Sequence, residues 1–217
     1  MTSKSNQNPK FFYEMEAFPF LKKWQAIWQE ILFEWQQNQE IGTHQSFEHY
    51  TQKSNPNSKW TLQTLRFFLM DNKPLLEFFP KIKALLNSEI IAAEFSQLSG
   101  GTHILPHHGF SKMILRCHLP LIVPNGEQCG IRVGNEIRHW KTGEFLIFDD
   151  SFEHEAWNNS TESRLVLMLD FPNPNYNYSA EEICRYKLEN LKDETLLALA
   201  PQPIWLKAFE ARELPLG

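Results

Sequence analysis

The chain has 217 residues, of which 42% are hydrophobic, 13% aromatic and 22% charged, ample material for a packed core, which excludes a disordered or collagen-like protein. With 26 Asp+Glu against 21 Lys+Arg the formal charge is −5, so bulk electrostatics leave no nucleic-acid footprint and no nucleic-acid partner is expected. No apolar run approaches the roughly 18 residues that cross a bilayer, Met1 to Lys10 lacks a signal-peptide pattern, and Cys117, Cys129 and Cys184 read as unclustered thiols. These features predict a cytoplasmic domain with no membrane insertion.

In chain order, residues 1–17 read as a polar N-terminal tail. From Pro19 an apolar face recurs at helical spacing through Phe20, Leu21, Trp24, Ile27, Trp28, Ile31, Leu32 and Trp35, which predicts a helix lying on the core. A polar stretch follows, with Asn55-Pro56-Asn57-Ser58 as a turn. Trp60 to Met70 predicts a strand and Phe79 to Asn87 a short helix. From Ile90 the period shortens. Segments 91–98, 112–123, 129–134, 144–149 and 164–170 read as strands, punctuated by Ser99-Gly100-Gly101, Pro124-Asn125-Gly126, Gly134-Asn135 and Asn158-Asn159-Ser160. Short strands between turn signals predict a mainly β fold of the jelly-roll or barrel kind. Phe171-Pro172-Asn173-Pro174-Asn175 ends the sheet. Ser179 and Glu182 then form a capping box that opens a helix to Leu191, and Leu196 to Ala200 is a second apolar stretch. The tail 176–217 is expected to pack as helices on the barrel or on another copy of the chain, which would make a homo-oligomer.

Chemistry concentrates in histidine. His103, His107, His108 and His118 fall within a short span, and His154 sits in Phe148-Asp149-Asp150-Ser151-Phe152-Glu153-His154-Glu155. Neutral imidazoles are common transition-metal ligands, and a jelly roll can bring two of them together from distant strands. Strand alternation puts Met113, Leu115, Cys117 and Leu119 on one face and Ile114, Arg116 and His118 on the other. A buried arginine needs an anionic partner, and both Arg116 and Arg164 carry that demand.

The segments Ser96 to Gly109, Leu115-Arg116-Cys117-His118-Leu119, Trp140 to Gly143, Phe148 to Asn158 and Arg164 to Asp170 together resemble the aspartyl/asparaginyl β-hydroxylase family of iron(II)- and 2-oxoglutarate-dependent oxygenases. The resemblance covers roughly residues 60–175. It implies a double-stranded β-helix core at 18–175 with flanking N- and C-terminal helices, and a dioxygenase that uses Fe(II), 2-oxoglutarate and O2 to hydroxylate an unactivated carbon. His107 and His154 are implied as the catalytic metal ligands, and Ser96, Arg116, His118 and Arg164 as the 2-oxoglutarate grip. Most 2-oxoglutarate oxygenases carry a carboxylate where this chain has Gly109, and Asp150 is read as a turn former or as an acceptor behind the ligands. The substrate is expected to be a small molecule or peptide, of Asp/Asn or other amino-acid type. Glu94 and Ile114 stand where the family pattern has basic residues, which suits a neutral or cationic substrate group. Two rival readings use the same scaffold: a non-catalytic sensor domain, and a metal cupin enzyme independent of 2-oxoglutarate.

Overall fold

A computed structural model describes residues 9–42, 44–47, 50–54 and 56–215. The predicted tail residues 1–8 and Asn55 of the predicted turn lie outside the described residues. Thirteen strands follow in chain order among the described residues. They are β1 (Phe12–Tyr13), β2 (Gln45–Ser46), β3 (Thr51–Lys53), β4 (Trp60–Phe67), β5 (Met70–Asp71), β6 (Ala92–Leu98), β7 (Thr102–His107), β8 (Ile114–Ile122), β9 (Cys129–Val133), β10 (Glu136–Arg138), β11 (Leu146–Phe148), β12 (His154–Asn158) and β13 (Arg164–Pro172). The helices are α1 (Lys22–Ala26), α2 (Trp28–Asn38), α3 (Lys73–Leu76), α4 (Pro80–Leu85), α5 (Ala180–Glu189), α6 (Glu194–Leu199) and α7 (Gln202–Ala211).

The strands form two antiparallel sheets. The larger runs β1-β11-β8-β13-β6-β4-β2, with β5 folded back on β4, and the smaller runs β10-β9-β12-β7-β3. This is the mainly β fold that the patterning predicts, in the double-stranded β-helix form with flanking helices that the family resemblance implies.

Period-two alternation explains how the large sheet serves two layers at once. One face carries Ala93, Phe95, Leu115, Cys117, Leu119, Leu165, Leu167, Leu169 and Phe171, which pack with Leu21, Trp24, Ile31 and Trp35 of the N-terminal helical segment. The other face carries Glu94, Ser96, Arg116, His118, Arg164 and Asp170, all turned toward the smaller sheet. A central strand such as β13 is covered on both faces and therefore reads as a nearly continuous apolar run. Between the sheets, Leu98, Ile104, Ile131, Val133, Phe148 and Val166 form a second core.

The single helix predicted from Pro19 is interrupted at Ile27, whose φ/ψ of −117°/22° separates α1 from α2 without moving the apolar stripe. The predicted strand Trp60–Met70 is a hairpin, because Phe68 and Leu69 adopt positive φ and turn the chain into β5. Two corrections are larger. Residues 11–13 do not belong to a polar tail: Phe11, Phe12 and Tyr13 are buried, and β1 pairs with β11 at the edge of the large sheet. Strands β7 and β12 were not among the predicted ones, and they carry the histidines.

The capping box is present, with Ser179 accepting from the Glu182 amide and Glu182 accepting from the Ser179 amide. Helices α5 to α7 pack on their own chain through Ile183, Cys184, Leu188, Trp205 and Phe209, against Phe68, Met70, Ile91 and Ile114. Among the described residues no helix is long and apolar enough to cross a membrane.

Candidate active site

His107 ends β7 and His154 begins β12, and the two are cross-strand partners with ring centroids 4.2 Å apart. A β-bulge makes this pairing possible. On β7, Thr102 and Ile104 are buried between the sheets, so strict alternation would send Pro106 inward and His107 outward. The register shift between His154 and Ala156 adds the residue that turns His107 to the inside.

Both rings are held in the same way. The carbonyl of Leu105 accepts from His107 Nδ1 at 2.7 Å, and that of Phe152 accepts from His154 Nδ1 at 3.0 Å. Each Nδ1 therefore carries the proton and each Nε2 keeps its lone pair. Burial lowers the pKa of both, that of His154 to about 3, so the imidazoles stay neutral, the form that binds a metal.

Contacts continue from this pair around a closed circuit. Trp60 stands 6.4 Å from His107 ring to ring and donates from Nε1 to Ser96 Oγ at 3.1 Å. Ser96 Oγ lies 3.4 Å from Arg164 Nη2, and the Arg164 guanidinium sits 4.8 Å above the Trp140 ring. Trp140 Nε1 donates to His118 Nδ1 at 3.1 Å. His118 meets Phe148 edge-on at 5.1 Å, and Phe148 lies 5.9 Å from His154. Ser96, His118 and Arg164 thus belong to one buried contact network that reaches the two histidines.

That network contains unpaired donors. Arg164 is 1% exposed, its Nε has no hydrogen-bond partner, and no carboxylate among the described residues pairs with it. Burial drags its pKa down to about 10. His118 accepts at Nδ1, so its Nε2 carries the proton, and that atom is also buried without a partner. Burial and the positive charge of Arg164 keep this ring neutral. Two buried donors left unmade are costly unless an anion arrives to accept from them.

Arg116 does not behave as a free clamp. Its Nε and Nη2 each donate at 2.8 Å to the two oxygens of Asp170, and its Nη1 lies 3.3 Å from Asp150. Burial works against its charge, but these carboxylates hold it ionised. Arg116, implied as part of the 2-oxoglutarate grip, fixes Asp170 and Asp150 in this structure. Asp150 is 1% exposed and takes up the room left by Gly109: a Cβ on Gly109 would lie 2.1 Å from its carboxyl carbon. The absent side chain at 109 and the buried carboxylate at 150 are one feature. Among the described residues no third His, Cys, Asp or Glu joins the two histidines in a metal-binding group.

Glu94 lines the cavity in front of the histidines, accepts from Thr64 Oγ1 at 2.6 Å, and is pushed up to about 7 by burial. Ile114, which opens β8, does not line that cavity and packs in the cluster of the C-terminal helices. Sequence reasoning left out Trp60, Thr64, Trp140 and Asp170 as site residues. For Asp170 the signal was available: it lies an even number of residues after Arg164 on the same strand face.

The donor set fits a divalent metal at two neutral imidazoles, with an anion beside it. The chain matches the model of the aspartyl/asparaginyl β-hydroxylase family over residues 22–174 and belongs to that family. Among its relatives is an ornithine lipid ester-linked acyl 2-hydroxylase of Rhizobium tropici, 32% identical over 169 residues that cover 75% of this chain and 60% of that protein. The human aspartyl/asparaginyl β-hydroxylase is 42% identical over 100 residues, 46% of this chain and 13% of that protein. The matches therefore span less than two thirds of the length of either relative. A prolyl-4-hydroxylase structure from Pseudomonas putida superposes with a TM-score of 0.46 at 12% identity, covering 69% of this chain and 88% of that one.

Proposed function

We propose that the protein is an iron(II)- and 2-oxoglutarate-dependent dioxygenase that hydroxylates an unactivated carbon. The observation that carries this reading is the pairing of two neutral imidazoles, both with Nε2 lone pairs available, with a buried guanidinium and imidazole whose donors lack a partner. Bound together, iron(II) and 2-oxoglutarate supply O2 activation coupled to loss of CO2 and formation of succinate.

The chain's own groups have separable tasks in this reading. His107 and His154 would hold the metal, each ring oriented by its backbone carbonyl. Arg164 and His118 would donate to the far carboxylate of 2-oxoglutarate, with Ser96 beside them, and Trp140 positions both. Arg116 holds Asp150 in the gap at Gly109, next to the metal ligands. The walls of Trp60, Phe148 and Trp140 exclude water.

The relatives are named for two different substrates, an acyl group and Asp/Asn residues, so the substrate is argued from the cavity. Amino-acid or peptide substrates with a free carboxylate gripped by arginine are not favoured, because Arg116 is neutralised by Asp170 and position 114 is apolar and elsewhere. A neutral or cationic group donating to Glu94 suits the wall better.

The test is an anaerobic titration with iron(II) and then 2-oxoglutarate, followed by O2 and measurement of succinate. Both ligands should bind, and His107→Ala or His154→Ala should abolish metal retention while leaving the fold intact. Metal binding with no affinity for 2-oxoglutarate would overturn the proposal in favour of an independent cupin enzyme. Binding of both, with no succinate formed with any substrate, would point to a sensor.

A further inference from the structure

Trp140 opens the segment Trp140 to Gly143, and its side chain can neither ligate a metal nor pair with an anion by charge. The indole is buried and touches both groups whose donors lack a partner, His118 and Arg164.

Its edge fixes the imidazole. An indole N–H can only donate, so the contact of 3.1 Å to His118 Nδ1 requires a lone pair on that atom. The two rings lie within 22° of coplanar, as an in-plane N–H···N bond demands. A neutral imidazole carries one proton, so this bond sends it to Nε2, the atom that is buried without a partner. With the proton on Nδ1 instead, Nε2 would turn a lone pair toward an incoming carboxylate and could not donate to it.

Its face carries the guanidinium. Arg164 sits 4.8 Å from the ring centroid, and its one side-chain hydrogen bond is the contact of 3.4 Å to Ser96. A cation seated on a ring face keeps its in-plane N–H groups unspent.

The indole stands on a loop that is itself held. The Gly143 amide donates to the Pro120 carbonyl at 2.9 Å, and the Gly143 carbonyl accepts from Gln25 Nε2 at 2.9 Å. Gly143 has a φ of 78°, and a Cβ there would lie 2.9 Å from Trp28 Nε1, so α1 and α2 meet the loop where only glycine fits.

We infer that Trp140 is the positioning residue of the anion site: its N–H fixes His118 as the form protonated on Nε2, and its ring face carries Arg164, so both donors are set before any ligand arrives. This inference deepens the dioxygenase reading and rests on it for the identity of the anion, but the state of His118 is a property of the free protein.

The test uses the full-length chain with isotopically labelled histidine, free of metal, and proton–nitrogen correlation spectra of the imidazoles. Loss of signals in His118→Gln assigns His118. Trp140→β-(3-benzothienyl)alanine puts sulfur where the N–H stood and keeps the shape and the ring face. The parent should show a bare Nδ1 and a protonated Nε2 at His118, and the analogue should show a second population protonated on Nδ1. With zinc(II) added, the analogue should bind 2-oxoglutarate at least about fivefold more weakly, the worth of one hydrogen bond. Trp140→5-fluorotryptophan keeps the N–H and should restore the parent's His118 signals; if it does not, packing and not the N–H is responsible and the inference falls. A parent ring protonated on Nδ1, or an analogue whose His118 signals match the parent's, overturns the inference whatever the titration gives. Changed His118 signals with unchanged affinity for 2-oxoglutarate overturn it as well. A parent that binds no 2-oxoglutarate removes the dioxygenase reading, and the spectra then decide the inference alone.

Discussion

Replacing Arg164 by leucine separates a binding role from a structural one, because the two predict opposite signs. In the ligand-free protein the guanidinium is 1% exposed, its Nε is unpaired, and its one side-chain hydrogen bond is the long contact of 3.4 Å to Ser96. Burial pulls its pKa down to about 10, and at 1.36 kcal/mol per pKa unit below the ordinary arginine value this amounts to about 3 kcal/mol of unfavourable burial. The cation–π contact with Trp140 returns about 1–2 kcal/mol of that. Arg164→Leu fills much of the same volume without charge, so the free protein should be stabilised by about 1–2 kcal/mol. For a chain of this size that is a rise of roughly 2–8 °C in the unfolding midpoint.

The same change should weaken 2-oxoglutarate by about 2–5 kcal/mol, since it removes one partner of a buried charge pair. Thermal unfolding with and without 2-oxoglutarate, in the presence of a redox-inert divalent metal, reads both effects in one experiment. The parent midpoint should climb with 2-oxoglutarate, by mass action on the folded state, and the variant midpoint should start higher and stay flat. A variant that is destabilised and still shifts normally with 2-oxoglutarate would refute the placement of the co-substrate against Arg164.

The neighbouring arginine should behave in the opposite way: Arg116→Met strands two buried carboxylates, Asp170 and Asp150, and should cost about 3–5 kcal/mol in denaturant unfolding even without ligands. Gly109→Ala drives a Cβ into the Asp150 carboxylate and should cost about 1–3 kcal/mol; adding Asp150→Gly should recover most of it, and a double-mutant cycle measures that coupling. Glu94 supplies a pH signature. Its folded pKa of about 7 lies above the unfolded value, so the folded state binds the extra proton and stability falls as pH rises from about 4.5 to about 7. Glu94→Gln should therefore exceed the parent in stability at pH 8 by up to about 3 kcal/mol, a gain that vanishes near pH 4 in urea titrations.

Much of this molecule is legible in the order of its residues. The β8 and β13 runs announce their faces, because alternation on a sheet covered on both sides dictates that Leu115, Cys117 and Leu119 go one way and Arg116 and His118 the other. The capping box at Ser179 and the helical stripe from Phe20 to Trp35 are local signals of the same kind, whereas the histidine pair at 107 and 154 comes from the family resemblance. Three things depended on the tertiary arrangement. Strands β7 and β12 are short, with polar or small residues at most positions, and they exist through pairing with each other and with β3 and β9. The direction of His107 depends on a bulge that no single-strand period encodes. Whether Arg116 or Arg164 is free to meet an anion depends on which of them finds a carboxylate, and Asp170 reaches Arg116 because β13 lies beside β8 in that register. Periodicity tells which side a residue faces, since it is a property of one strand. Partnership between buried charges is a property of two strands, and it is decided only when they pair.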